Sequence, residues 1–311
     1  MSVSPALKKI AISIGDLNGI GFEIALKAHQ IARSRCEPIY CVSPHNAANA
    51  AALLGVKLCE DFVCAGNESA IAIRGGEIDA AAGGASFESF VQAVDLAARG
   101  EAEAIVTLPI NKASWSAAGL RYKGHTDYLR ERFGGGLIMA LGCPKRFVAL
   151  YTDHIPLREV ARHIAQEPLS EFLIRLWRFT RFEPIGVLGL NPHAGDRGAI
   201  GEEETIINAA IQTANERLKR PVFEGAIVPD AAFTPKAIER YPLIAAMYHD
   251  QGLAPLKALF FDESINITLG LPFKRTSVDH GTAFDIAYKN QNPSIASYLN
   301  AVSAAINDLW S

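Results

Sequence analysis

Short apolar runs alternate with stretches of helical period along most of the chain. "KIAISIG" (9–15) is a strand-like run, and Gly15, Gly19 and Gly21 then open onto the helical stretch "FEIALKAHQIARS". Similar runs recur at "PIYCVS" (38–43), "AIVTLPI" (104–110), "IGVLGL" (185–190) and "LIAAMY" (243–248). Between them, Phe87, Phe90, Val91 and Val94 fall at i, i+3, i+4 and i+7 behind Ser86, which predicts a helix capped there. Leu157, Val160, Ala161 and Ile164 repeat the spacing after Pro156, and Ile207, Ala210, Ile211, Ala214 and Leu218 repeat it again. Strands alternating with helices predict an α/β architecture with much of the sheet covered on both faces. One interval breaks the alternation: "GGGLIMALGCPKRFVALYTDHIPL" (134–157) reads as two strands joined at 142–144, hence a hairpin and a mixed sheet.

Composition narrows the class without changing that reading. The 311 residues are 49% hydrophobic and 20% charged, which suits a globular enzyme of one large α/β unit or two lobes. A formal net charge of −3 argues against a general nucleic-acid binder, and "RLWRFTRF" (175–182) reads as a solvated helix side. The five cysteines form no C-x-x-C pair, so neither a disulfide framework nor a thiolate zinc site is indicated and a reducing cytoplasm is expected. The N-terminal run carries its lysines internally, unlike a signal peptide, and no run is long enough to span a bilayer.

Ligands in α/β sheets collect beyond the carboxyl ends of strands. Four of the eight histidines fall there: His125 in "KGHTDYL", His154 in "YTDHIPL", His193 in "GLNPHAGDRG" and His249 in "MYHDQG". A single histidine at a strand end is more often a hydrogen-bonded loop residue. Several together suit a transition-metal site, where three imidazoles leave a coordination position open. His29, His45 and His163 read as surface or packing residues, and His280 in "VDHGTAFDIA" as a turn residue preceding a helix. Lys257, Asn266 and Arg275 follow on separate short segments and are suited to gripping a carboxylate or phosphate, although a single Lys or Arg such as Lys257 or Arg275 is more often a solvated surface charge. "GDLNGIG" and "NPHAGDRGAIGEEE" can present backbone amides to an anion, but neither is a P-loop or a G-x-G-x-x-G fingerprint.

Taken in order, "SIGDLNGIGFEIALKA", "TLPINKASWSAAGLRYKGHTDYL", "YTDHIPL", "GLNPHAGDRGAIGEEE", "IVPDAAF" and "YHDQGLAPLKALFFDESINITLGLPFKRTSVDHGTAFDIA" resemble the 4-hydroxythreonine-4-phosphate dehydrogenase family from about residue 10 to residue 290. That resemblance implies two α/β/α domains with a cleft, of the isocitrate/isopropylmalate dehydrogenase type. It places 1–118 and 268–311 in a cofactor-side domain and 119–267 in a central metal, substrate and dimerisation domain. "GIGFEI" and "DHGTAFDIA" are similar to the wider superfamily's "GIGPEI" and "HGSAPDIA", which implies a nicotinamide cofactor cradled by His280, Gly281, Thr282 and Asp285.

By the same resemblance, His154, His193 and His249 hold a divalent metal (zinc, magnesium, cobalt, manganese or nickel) at a site shared across a homodimer. His125, Thr126, Lys257, Asn266, Arg275 and Asp230 contact substrate, with Asp230 read alternatively as an N-cap of the next helix. The implied reaction is oxidation and decarboxylation of 4-phosphohydroxy-L-threonine in pyridoxal phosphate (vitamin B6) biosynthesis, with Asp250 or Lys257 as the base. Alternatives are a paralogue acting on 4-phospho-D-threonate or 4-phospho-D-erythronate, and an acyl-phosphate transferase of the same fold. The sequence departs from the pattern at Leu17, Asn18 and Phe22, at Asp153, and at Tyr288-Lys289-Asn290, the last of which leaves NAD against NADP open.

Overall fold

In a computed structural model, residues 6–67 and 69–307 are described, and the chain divides into two compact units. Of these, the first takes the residues up to Gly135 together with 271–307, and the second is Gly136–Gly270.

The first unit runs β1 (Lys9–Ser13), α1 (Gly21–Arg33), β2 (Glu37–Cys41), α2 (Pro44–Leu53), α3 (Ala80–Ala98), β3 (Ala104–Thr107), α4 (Lys112–Ala117) and α5 (His125–Phe133). In the second unit follow β4 (Ile138–Cys143), β5 (Arg146–Leu150), α6 (Leu157–His163), α7 (Gln166–Thr180), β6 (Ile185–Leu188), α8 (Glu203–Leu218), β7 (Phe223–Ile227), α9 (Pro235–Arg240), β8 (Leu243–Ala246), α10 (His249–Phe260) and β9 (Ile265–Leu269). The chain then returns to the first unit with β10 (Lys274–Val278) and α11 (Ala296–Ile306).

Within the first unit the strand order is β2-β1-β3-β10, all parallel. Every residue of β3 is buried, as a strand covered on both faces requires. The helix predicted behind Ser86 begins earlier, at Ala80, with Asp79 as its cap accepting from the Ala82 amide at 2.9 Å. Ser86 lies inside it, donating to the Gly83 carbonyl at 2.9 Å and accepting from Trp115 Nε1 at 2.6 Å. Residues 119–135, placed from sequence in the central domain, belong with the two chain ends. The reason is aromatic: Tyr128 and His125 of α5 pack on Phe87 and Phe90 of α3, with ring centroids 5.4 and 4.4 Å apart.

Within the second unit the order is β9-β4-β5-β8-β6-β7. β4 is antiparallel to both β9 and β5, while β5, β8, β6 and β7 run parallel. The expected hairpin is present, and its turn is Pro144-Lys145. Met139, Leu141, Val148, Leu150, Leu188, Ile244, Leu253 and Leu256 form one buried cluster beneath α10. Each such side chain contributes about 1.5–3 kcal/mol by leaving water. Gly252 lets α10 sit this low, because a Cβ there would collide with Val148 Cγ1. The start of α10 is thereby pressed against the end of β8.

Candidate active site

β5, β8 and β6 are neighbouring parallel strands, and a histidine follows the carboxyl end of each: His154, His249 and His193. Side chain-to-backbone bonds stitch the three connections together. Thr152 Oγ1 donates to the Met247 carbonyl at 2.6 Å. Gln251 accepts from the Met247 amide at 2.8 Å and donates to the Gly189 carbonyl at 2.6 Å, spanning the β8 and β6 ends. The His154 and His249 ring centroids are 5.5 Å apart. Asp250 Oδ1 lies 2.8 Å from His249 Nδ1, which turns Nε2 outward as the available donor.

His193 sits in a turn whose backbone is held in the left-handed region from His193 to Arg197, with φ of 53, 50, 75, 40 and 57°. Non-glycine residues there cost about 1–3 kcal/mol each unless their surroundings enforce the conformation. Glu204 anchors the start of the loop: its carboxylate accepts from the Leu190 amide at 2.8 Å and from the Asn191 amide at 2.7 Å. Those donors outweigh burial and hold the Glu204 carboxyl below its usual range. Among the described residues, the three imidazoles of one chain do not form a group whose donor atoms all lie within 4.8 Å of one another.

Asp250 and Lys257 stand seven residues apart on α10, two turns and roughly 10 Å along the same face. The Asp250 side chain is 83% exposed, and Lys257 is half-buried. Asn266 lies on β9 opposite Leu141 of β4, and its Oδ1 is a buried acceptor without a hydrogen-bond partner among the described residues. Asp230 is exposed in a single 3-10 turn beyond β7. It does not cap α9; Thr234 does, accepting from the Ala237 amide.

In the first unit, Arg275 of β10 is 3% exposed and reaches toward β3. Its Nη2 donates to Thr107 Oγ1 at 2.8 Å and lies 3.2 Å from His125 Nδ1. Burial lowers the guanidinium to about 10, so it stays cationic at neutral pH. Burial, then the Arg275 charge, pushes His125 well below the ordinary 6.5, so the imidazole is neutral. Phe90 and Trp115 enclose that ring, and its Nε2 is buried without a partner among the described residues. Thr126 follows in the first turn of α5, half-buried.

The 280–285 segment closes on the first glycine loop. Ile20 donates its amide to the Thr282 carbonyl at 3.0 Å, and a Cβ on Gly19 would stand 2.8 Å from that same oxygen. His280 Nδ1 lies 3.0 Å from the Gly281 carbonyl, and its Nε2 is buried without a described partner. Gly281 and Asp285 are exposed. The helix expected directly after this motif is absent: residues 284–290 are turns, with positive φ at Ala283, Tyr288 and Asn290, and α11 begins at Ala296.

Sequence reasoning missed Thr107, Gln251, Glu204 and the Phe90–Trp115 enclosure. Gln251 stands two residues after His249, and Glu204 closes the segment "NPHAGDRGAIGEEE"; Thr107 and the enclosure of His125 carry no local signal.

A family model described as pyridoxal phosphate biosynthetic protein PdxA matches residues 27–305. The chain is 50% identical over 298 residues to a 4-hydroxythreonine-4-phosphate dehydrogenase of Sulfurimonas denitrificans, covering 96% of this chain and 97% of that one. It is 49% identical over 302 residues to the protein of that name from Campylobacter fetus, covering 97% and 98%. A solved 4-hydroxythreonine-4-phosphate dehydrogenase from Klebsiella pneumoniae superposes with a TM-score of 0.83 at 32% identity, over 99% of this chain and 100% of that one. The chain belongs to the PdxA family of pyridoxal phosphate biosynthetic proteins.

Proposed function

We propose that this chain is a 4-hydroxythreonine-4-phosphate dehydrogenase, oxidising and decarboxylating 4-phosphohydroxy-L-threonine to 3-amino-2-oxopropyl phosphate. The observation that carries the reading is half-identity to enzymes of that name over nearly the whole chain. In the reaction, C3 loses a hydride to a nicotinamide nucleotide while its hydroxyl loses a proton to a base. The resulting β-keto acid releases its carboxylate as carbon dioxide, and a proton returns to that carbon.

His154, His193 and His249 are a donor set that fits a divalent cation, and the Asp250 contact behind His249 is the orienting bond such ligands require. When bound, the cation supplies Lewis-acid polarisation of the substrate hydroxyl. Because the three imidazoles of a single chain do not converge, the set is completed in a homodimer by a ligand from a second copy. Asp250 is occupied with His249, which leaves Lys257, on the same face of α10, as the proton acceptor.

Arg275 binds a substrate carboxylate or phosphate through its charge. Its donation to His125 Nδ1 leaves a hydrogen on Nε2 to give to a substrate oxygen. Thr126, Asn266 and Asp230 complete the substrate contacts. His280, Gly281, Thr282 and Asp285 hold the cofactor, taken as NAD with NADP as the variant to compare.

The test follows NADH and NADPH formation with 4-phosphohydroxy-L-threonine, 4-phospho-D-threonate and 4-phospho-D-erythronate, each with and without chelator. Turnover of the amino substrate, lost on chelation and regained with added metal, is expected. Faster turnover of either sugar-acid phosphate would move the chain to the paralogue, and a requirement for coenzyme A would make it an acyl transferase.

A further inference from the structure

A second group of metal-ligating side chains lies in the first unit, outside every residue assigned above. His29 of α1 is fully buried. Its Nε2 lies 3.0 Å from Asp61 Oδ1 and its Nδ1 3.0 Å from Tyr40 Oη on β2. One donor atom each from His29, Cys59 and Asp61 all fall within 4.8 Å of one another. We propose that His29, Cys59 and Asp61 form a structural site for a borderline-soft divalent cation, zinc above all, distinct from the His154, His193 and His249 set.

Three features of the cluster argue for a cation. The donors are an imidazole nitrogen, a sulfur and a carboxylate oxygen, a mixture that selects zinc, cobalt or nickel over magnesium and calcium, which take oxygen ligands. Bond lengths of about 2.0–2.3 Å imply donor–donor edges of roughly 3.2–3.8 Å in a tetrahedral site, so the cluster needs only small side-chain adjustments. The second nitrogen of His29 is already held by Tyr40, the partner that fixes a ligating ring and its tautomer. Tyr40 is itself locked by stacking on Phe62 at 3.8 Å between centroids.

The Asp61 carboxylate already stands beside the ring nitrogen that would ligate, its Oδ1 3.0 Å from His29 Nε2. Cys59 also lines a cavity of about 320 Å³ with Glu23, Lys27, Leu54 and Asn292, which gives the ion a route in and leaves room for water as a fourth ligand. The three residues come from α1 and from the segment linking α2 to the bridge at Cys64, which has no regular secondary structure over most of its length. Binding would clamp that segment onto α1 and stabilise the folded chain by mass action.

Cobalt distinguishes the two sites, because only this one offers a sulfur ligand. Metal-stripped full-length protein is titrated with cobalt(II) and followed by absorption, alongside Cys59→Ser and Asp61→Asn. The wild type should develop a thiolate-to-cobalt charge-transfer band that saturates by about two equivalents per chain, since the three-histidine set takes cobalt as well. Cys59→Ser should lose it, Asp61→Asn should need at least about tenfold more cobalt, and NADH-forming activity should survive in both. No such band in the wild type, or an unchanged band in Cys59→Ser, overturns the site. Neither result bears on the dehydrogenase reading, whose ligands contain no sulfur.

Discussion

Arg275 Nη2 and His125 Nδ1 lie 3.2 Å apart, joining the buried cation of β10, the last strand of the chain, to the first residue of α5. The arginine can only donate, so the histidine nitrogen facing it must accept. A cation with no aqueous shell therefore sets the tautomer of a neutral imidazole. The pair works as one unit.

Arg275→Lys keeps the charge but loses the planar fork that reaches Thr107 and His125 together. Loss of one charge-assisted hydrogen bond, about 1.5–3 kcal/mol, predicts a fall in kcat/KM of about 10- to 150-fold with the fold unchanged. Steady-state kinetics and circular dichroism measure both. A variant within twofold of wild type would remove Arg275 from substrate binding.

The depressed pKa of His125 has a consequence for stability. The unfolded chain takes up a proton near the ordinary 6.5, whereas the folded chain does so only at lower pH. Between the two values the unfolded state binds more protons, so this histidine's share of stability is present above about pH 6.5 and is lost as pH falls below it. Urea midpoints at about pH 7.5 and about pH 5.5 should drop more for wild type than for His125→Gln. Equal drops would mean that the ring titrates normally.

Gln251 bonds to both Met247 and Gly189, and so couples the His249 and His193 loops. Gln251→Glu removes the donor to Gly189 while keeping size. Chelator competition should show metal affinity falling by roughly 10- to 100-fold, the usual effect of losing an outer-shell contact. Unchanged affinity would show that the loops hold their places without it.

Arg146 is fully buried on β5, none of its three guanidinium nitrogens has a hydrogen-bond partner among the described residues, and its charge faces the Phe233 ring at 5.8 Å. Burial lowers its pKa to about 10, so the cation persists at neutral pH without an ion pair. Arg146→Met, similar in length and without charge, should raise the urea midpoint by an amount worth about 1–4 kcal/mol. A destabilised variant would reveal a partner for the guanidinium in the assembled protein.

Strand and helix alternation was legible wherever the buried positions are apolar, as in β1, β3, β6, β8 and the β4–β5 hairpin. It was not legible in β10, "KRTSV", where three of the four buried positions, Arg275, Thr276 and Ser277, are polar. Arg275 Nη2, Thr276 Oγ1 and Ser277 Oγ find Thr107 and the Ala301 carbonyl, partners that no window of β10 contains. β7 and β9 escaped for related reasons: β7 is mostly half-exposed, and Asn266 interrupts β9.

Sequence by itself determined where most of the apolar strands and amphipathic helices fall, that His154, His193 and His249 stand beyond strand ends, and which family the chain resembles. These follow from periodicity and motifs written in contiguous residues. Tertiary structure alone decided that Arg275 meets His125 across 150 residues of chain, that Gln251 ties two histidine loops together, and that His29 finds Asp61. Strand order and helix docking bring such partners within hydrogen-bond range, and neither is a property of any local stretch.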